Sequence, residues 1–427
     1  MKLLLFILLI IGFVAFWITP VSFQQGSEPL LTGPMIQATS ANGFTVAWRQ
    51  SDPDAVVRVS YTLGHIPEQG ERPIQQTRIG VESVCGELNR CTARIDGIQA
   101  GVPCHYQLDE FEGQAGQPVA SGTVLLPPMR GEPFRFIAFG DSGSAEAGQR
   151  AVAERMAGYS PRVLVHTGDV VYPRGHYADY PQKFYRPYGK MIKDIPVFPT
   201  IGNHDYYYDH GASYLGEFTL PENGPEGTIP ERHYYFDFGD VRFVCIDSNE
   251  TFRALSNFVV PWMKRTLADA DGRWTVVYFH HATFTHGKNA PLGSIRSVVI
   301  PAIDEMNVDL VLTGHNHMYE RTLPMRNGEA TADGTGTIYI TTGAGGADLQ
   351  PYAGPKPDFI VKDDNTVFSF TVVDVTAEAL SFQQVTGDNE IIDRFAIVRT
   401  MPGTTESSAE AIEIVSPIGQ ETPAPSD

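Results

Sequence analysis

Five short runs place carboxylate, amide or imidazole groups at the end of an apolar stretch. They are Gly140-Asp141-Ser142-Gly143, Gly168-Asp169-Val170-Val171-Tyr172, Gly202-Asn203-His204-Asp205, Val277-Tyr278-Phe279-His280 and Gly314-His315-Asn316-His317. A buried strand that finishes in such groups needs a reason, because polar groups are costly to bury without partners. Repeated at five strand ends, the pattern gathers oxygen and nitrogen donors at one edge of a sheet and reads as a site for two metal ions. Two cations held close together repel each other unless an anion bridges them. Asp169, after a tight glycine at the end of an apolar strand, is the natural bridge. Asp141 is placed in the same way and adds a second carboxylate, Asn203 offers an amide oxygen, and His280, His315 and His317 offer nitrogens. In an extended segment residues i and i+2 point to one side, so His315 and His317 can serve one centre. His281 competes with His280, but alternation along a strand aims only one of them inward.

The elements that must position these groups follow from patterning. Up to about Pro128 the chain shows short alternating runs at 43–50, 55–63, 91–98, 104–111 and 120–126, separated by turn residues. That spacing predicts a small all-β sandwich, with Trp48 in its core and no chemistry of its own. From Phe134 the pattern changes. Strands are predicted at 134–140, 162–167, 197–201, 233–238, 241–247, 274–280, 308–312 and 337–342, and helices at 145–157, 180–193, 261–270 and 294–306. Strands at 367–373, 380–385 and 395–398 close the domain. Strands alternating with helices argue for a layered α/β domain, in which ligands bind beyond the carboxyl ends of the strands. All five motifs sit at such ends.

The order of these motifs resembles the calcineurin-like metallophosphoesterase superfamily. Tyr172, in Gly-Asp-x-x-Tyr, makes the chain resemble the purple acid phosphatase branch, which pairs that motif with Gly-Asn-His-(Asp/Glu), Val-x-x-His and Gly-His-x-His. The resemblance covers roughly residues 133–398. It implies a layered β-sandwich flanked by helices (the metallophosphoesterase fold, 132–399), preceded by a small fibronectin type III-like sandwich (25–128). It implies that Asp141, Asp169, Tyr172 and His317 hold Fe(III), and that Asp169, Asn203, His280 and His315 hold a divalent Fe, Zn or Mn ion. A phenolate is a hard anionic donor suited to a trivalent ion, whereas zinc sites use mainly His, Cys and carboxylate. The implied activity is hydrolysis of small phosphate monoesters by hydroxide held on the metals, with phosphodiesterase or nucleotidase action as the alternative on the same scaffold. A non-catalytic exported binding protein is the third reading. His204 would contact the phosphate or leaving group, with Asp205 orienting it or simply shaping the loop. Plant-type relatives place substrate-contacting histidines beyond the Val-x-x-His ligand. Here His286, in a short loop, is the candidate for that role. Arg174 and His176 follow Tyr172 near the pocket, and Arg321 reads as structural.

The net charge of −19 over 427 residues argues against nucleic acid, whose phosphates reward Lys and Arg. An anionic substrate would be drawn by the metals and not by the global field. The apolar run at 3–19, after Lys2, would span about 26 Å as a helix, slightly short of a bilayer core of about 30 Å. It reads as a signal peptide, or as an uncleaved anchor attaching the protein to a membrane, with the rest exported in either case. Export permits a disulfide between two of Cys85, Cys91 and Cys104, with Cys85 and Cys91 nearest in sequence, while Cys245 lies in an apolar run as a buried thiol. Residues 400–427 have the composition of an acidic disordered tail.

Overall fold

A computed structural model describes residues 30–64, 79–332 and 334–399. The apolar run at 3–19 and the acidic tail lie outside the described residues. No described helix is long and apolar enough to cross a membrane.

The first eight described strands are β1 (Leu30–Ser40), β2 (Gly43–Gln50), β3 (Val56–Leu63), β4 (Ile79–Val81), β5 (Val84–Cys85), β6 (Arg90–Asp96), β7 (Cys104–Glu112) and β8 (Ala115–Val124). They form two four-stranded antiparallel sheets, ordered β1-β2-β6-β5 and β4-β3-β7-β8. Inward residues of both sheets, among them Phe44, Trp48, Val59 and Tyr106, build one core. Patterning does not reveal β1, because Gly33 and Pro34 interrupt its alternation, and its register with β2 shifts there. Cys85 and Cys91 are paired residues of β5 and β6 and form a disulfide, leaving Cys104 and Cys245 as buried thiols.

The remaining strands are β9 (Phe134–Phe139), β10 (Val163–His166), β11 (Val197–Pro199), β12 (Tyr234–Phe238), β13 (Val241–Cys245), β14 (Trp274–His281), β15 (Leu310–Gly314), β16 (Tyr319–Thr322), the hairpin β17 (Met325–Arg326) and β18 (Glu329–Ala330), β19 (Ile338–Thr342), β20 (Ile360–Asp364), β21 (Ser369–Val375), β22 (Ala379–Thr386) and β23 (Ile391–Val398). One sheet runs β11-β10-β9-β21-β22-β23 and the other β12-β13-β14-β15-β19-β16-β20. Their inner faces share a core in which Phe134 meets Phe238 and Phe136 meets Phe243. Helices cover the outer faces: Ala147–Ala157 and Arg186–Ile192 on the first sheet, Val260–Ala268 and Ile300–Glu305 on the second. The architecture is therefore the layered α/β sandwich the motifs require.

Three helical segments include a wide π-helical turn, Pro181–Tyr185, Leu255–Val259 and Ile295–Val299; the second lies ahead of the helix predicted at 261–270, because helical structure there already starts at Phe252. Each wide turn runs into an α-helix whose second residue is proline, at Pro187, Pro261 and Pro301. Proline lacks an N–H and its ring clashes with the carbonyl four residues earlier, and widening the preceding turn relieves that clash.

The N-terminal sheets dock through a buried polar network. Arg49 pairs with Glu217, whose other oxygen accepts from Tyr185 at 3.2 Å. Arg90 donates to the Glu217 carbonyl at 3.0 Å and to Thr219 at 2.7 Å.

Candidate metal centre

The strands that carry the candidate ligands run parallel within each sheet: β9, β10 and β11 in one, β14 and β15 in the other. Their carboxyl ends meet across the sandwich. The Gly140 N–H donates to Thr342 at 3.0 Å, the Asp141 N–H to Gly168 at 3.0 Å, and the His315 N–H to the Asp141 carboxylate at 2.9 Å. Asp141, Asp169 and His315 adopt the left-handed conformation, with φ of +53°, +53° and +69°. That conformation is uncommon for residues with a Cβ and collects at functional sites. The approach is close enough that a Cβ on Gly168, itself at φ +93°, would lie 2.7 Å from His280 Nδ1, and one on Gly314 would strike the Asp141 carboxylate.

Tautomers follow from the acceptors. A carbonyl can only accept, so His280 Nδ1–H donates to Thr167 at 2.9 Å, His317 Nδ1–H to Asp348 at 2.7 Å and His204 Nδ1–H to Pro173 at 2.7 Å. In its neutral form each of these rings then turns a bare Nε2 elsewhere. His280 Nε2 faces Asn203 Oδ1 at 2.9 Å, Asp169 Oδ2 at 3.3 Å and His315 Nδ1 at 3.2 Å. The Asn203 amide nitrogen is occupied by Tyr207 at 2.9 Å, so its oxygen is the atom presented. The Tyr172 hydroxyl lies 3.1 Å from Asp141 Oδ1, 3.0 Å from Asp169 Oδ2 and 3.0 Å from His317 Nε2. One hydroxyl proton can serve one of those three acceptors.

Two groups of acceptors thus converge with too few protons between them, and Asp169 belongs to both. Such a set calls for cations. Donor atoms about 2.1 Å from one octahedral ion stand about 3.0 Å apart at neighbouring vertices, which matches the contacts at Tyr172 and His280. The donor atoms of Asp169, His280 and His315 all lie within 4.8 Å of one another. Titration follows the same logic. Burial holds Asp141 well above the usual carboxylate range, and nearby Asp169 adds to it. Burial opposes charge on His280, yet Asp169 and Asp141 outweigh it and lift the ring to about 9. A proton on His280 fills part of the role a metal would take. Burial and then the two carboxylates keep the Tyr172 phenol well above its ordinary value. Only a strong cation would make it a phenolate.

The other candidates divide. His204 turns its ring beside Tyr172, 4.6 Å between centroids, and its N–H donates to Asp169 at 2.8 Å. The Asp205 carboxylate makes no hydrogen bond to that ring. It is buried and accepts from Val170 at 3.0 Å, Val171 at 3.3 Å and Gly202 at 2.9 Å, clamping the Asp169 loop to the Asn203 loop. His281 bonds Ser248 at 2.7 Å, and burial, with His280 and His315, lowers it to about 2. Arg174 donates to the Tyr207 carbonyl at 3.3 Å, and His176 caps a short turn by accepting from Ala178 at 3.0 Å. Arg321 grips Asp393 at 2.7 Å and stacks on Phe395.

His286 is not brought to this centre. Its ring is buried between Glu320, 2.7 Å from Nδ1, and Asp363, 3.4 Å from Nε2, and stacks on Tyr352 at 4.2 Å. The loop is short, and those carboxylates on β16 and β20 draw the imidazole toward the sheet edge. Neither strand is legible from patterning, so the histidine's partners are hidden in the sequence. Replacing His286 with Ala leaves the buried Glu320 carboxylate only the backbone N–H of residue 286, at 3.0 Å, and is expected to cost about 2–4 kcal/mol in denaturant unfolding, with metal content unchanged. Metal loss without loss of stability would instead tie the ring to the centre.

A cleft of about 440 Å³ opens over Tyr172, His204 and His317, and Lys288, Glu146 and Asp348 also line it. No sequence motif points to Lys288. Its neighbours are knit to the loop of His315 and His317: the Asn289 N–H donates to Asn316 Oδ1 at 2.8 Å, and the Asn289 side chain to the His315 carbonyl at 2.7 Å. A larger groove of about 590 Å³, between helices Ala147–Ala157 and Arg186–Ile192, has none of the candidate ligands in its lining.

Comparison with known proteins bears on this geometry. Residues 134–319 match the family described as calcineurin-like phosphoesterase, and residues 336–394 match the iron/zinc purple acid phosphatase-like protein C-terminal family. Purple acid phosphatase 18 of Arabidopsis thaliana is 27% identical over 205 residues, covering 43% of this chain and 45% of its own; other Arabidopsis relatives are named probable inactive purple acid phosphatases. A nucleotide pyrophosphatase/phosphodiesterase of Hordeum vulgare is 24% identical, covering 65% of this chain and 87% of its own. The chain spans about half the length of the first curated relatives it matches. The structure of purple acid phosphatase PPD1 from yellow lupin seeds superposes with a TM-score of 0.71 at 18% identity, covering 88% of this chain and 77% of that one, which shows a shared fold.

Proposed function

Because the chain carries a calcineurin-like phosphoesterase domain continued by a purple acid phosphatase-like C-terminal part, we propose that it is a dinuclear-metal phosphatase acting on phosphate monoesters. The observation that carries this reading is the crowding of acceptors around the Tyr172 hydroxyl and His280 Nε2, with Asp169 common to both. Asp141, Asp169, Tyr172 and His317 would hold one ion, and Asp169, Asn203, His280 and His315 the other. When bound, the metals supply an activated water and neutralise charge on the phosphoryl group.

The chain's own residues do the rest. Asp169 keeps the two sets of donors in register, and Asp205 fixes the loops that carry Asp169 and Asn203. The carbonyls of Thr167 and Asp348 orient His280 and His317, the kind of outer contact that raises ligand basicity. His204, held by Pro173 through Nδ1, presents Nε2 to the cleft, where its protonated form can give a proton to the departing oxygen.

A phenol at Tyr172 that a cation would convert to a phenolate, a hard oxygen donor, supports Fe(III) as the first ion, with Fe, Zn or Mn as the second. Iron on that oxygen should colour the protein, and Tyr172→Phe should remove the visible absorption band. A band surviving in that variant would place the chromophore elsewhere.

Turnover of phenyl phosphate and of its bis-phenyl diester by the metal-loaded full chain tests the reaction. The monoester is expected to be the better substrate. Preference for the diester would favour a phosphodiesterase, the reading that the barley relative supports. Failure on both, together with absence of metal, would favour a binding protein. We also read residues 3–19 as export information, which the Cys85–Cys91 disulfide supports, since such bonds persist in oxidising compartments. Recovery of the protein in the cytosolic fraction would contradict it.

A further inference from the structure

We propose that the rim of the metal cleft selects phosphate monoesters whose leaving group is zwitterionic, carrying a carboxylate and an ammonium; this rests on the phosphatase reading above. Lys288, Glu146 and Asp348 line one cleft together with Tyr172, His204 and His317, and among the described residues none of the three charged side chains has an ion-pair or side-chain hydrogen-bond partner. All three are exposed, outside the buried donors. The other lysine of the lining, Lys183, is occupied: it pairs with Asp179 at 3.1 Å and donates to the Tyr172 carbonyl at 2.6 Å.

The position of Lys288 is built. A Cβ on Gly287 would fall 2.5 Å from Asn316 Cγ, so the loop approaches the ligand loop as closely as glycine permits. On the other side of Lys288, Asn289 is bonded to Asn316 and His315. Glu146 sits at the start of helix Ala147–Ala157, and Asp348 is fixed through its carbonyl to His317.

The charges decide the ligand. Metal ions beneath would repel the Lys288 ammonium, so it serves an anion further out than the transferred phosphoryl group. A polyanionic leaving group would meet Glu146 and Asp348 and be repelled. A leaving group with one anion and one cation satisfies Lys288 and the two acids together. Partly exposed charge contacts are individually weak, so the combined preference should be about tenfold.

Four aryl phosphates of similar leaving ability isolate the effect: phenyl phosphate, the phosphates of tyramine and of 3-(4-hydroxyphenyl)propionate, and O-phosphotyrosine. With the metal-loaded full chain, kcat/KM is expected to be about tenfold higher for O-phosphotyrosine than for phenyl phosphate, chiefly through KM. Lys288→Met should remove the advantage conferred by the carboxylate, and Lys288→Arg should keep it. Glu146→Gln with Asp348→Asn should remove the advantage conferred by the ammonium. O-phosphotyrosine no better than phenyl phosphate, or a Lys288→Met loss equal on all four substrates, would overturn the proposal while leaving the phosphatase reading intact. No turnover of any of the four would overturn both.

Discussion

Asp169→Asn is expected to lower phosphatase turnover by on the order of a thousandfold or more and to reduce bound metal from two ions to at most one. The substitution keeps the shape of a side chain that is buried at the meeting point of both donor sets. The His204 N–H, 2.8 Å from Oδ1, requires an acceptor there, so the new amide nitrogen falls on the Oδ2 side. It would then point two hydrogens at Tyr172 and His280, where the wild-type side chain offers a negative oxygen. Both the bridging charge and the shared donor atom are lost in one step. Steady-state kinetics beside metal analysis checks this. Near-normal turnover in Asp169→Asn would remove Asp169 from the centre of the mechanism.

His204→Ala is expected to separate proton delivery from metal binding. The His204 backbone N–H that holds Asp169 survives the change, so two ions should remain. The lost imidazole should lower kcat by about 100- to 10,000-fold for an alkyl phosphate, the usual contribution of a positioned acid. A nitrophenyl ester, whose leaving group needs no proton, should suffer far less. An equal loss on both esters would mean that His204 binds the phosphoryl group and donates no proton to the leaving oxygen.

The sequence carried the site further than it carried its supports. Strand-end donors are legible because Asp, Asn or His buried at the end of an apolar run requires a partner. The α/β layering is legible because strands and helices alternate after Phe134. The left-handed backbone at Asp141, Asp169 and His315 is invisible in residue types, since it belongs to the turns where strand ends of the two packed sheets come together. The carbonyls of Thr167, Pro173 and Asp348, which fix three tautomers, belong to no motif because any residue has a carbonyl. His286 shows the reverse problem. A histidine in a loop after a ligand strand reads as a substrate contact, but its partners Glu320 and Asp363 lie on β16 and β20, short strands with weak alternation. Lys288 carried no signal alone. Its placement comes from Gly287 and Asn289 packing on Asn316, the residue between His315 and His317.

Metal content of the purified, metal-loaded full chain bears most directly on the shared centre at Asp169. Two ions per chain, falling to one or none in Asp169→Asn, is the expected result. A wild-type protein that retains no stoichiometric metal, or an Asp169→Asn variant that keeps both ions, would contradict it.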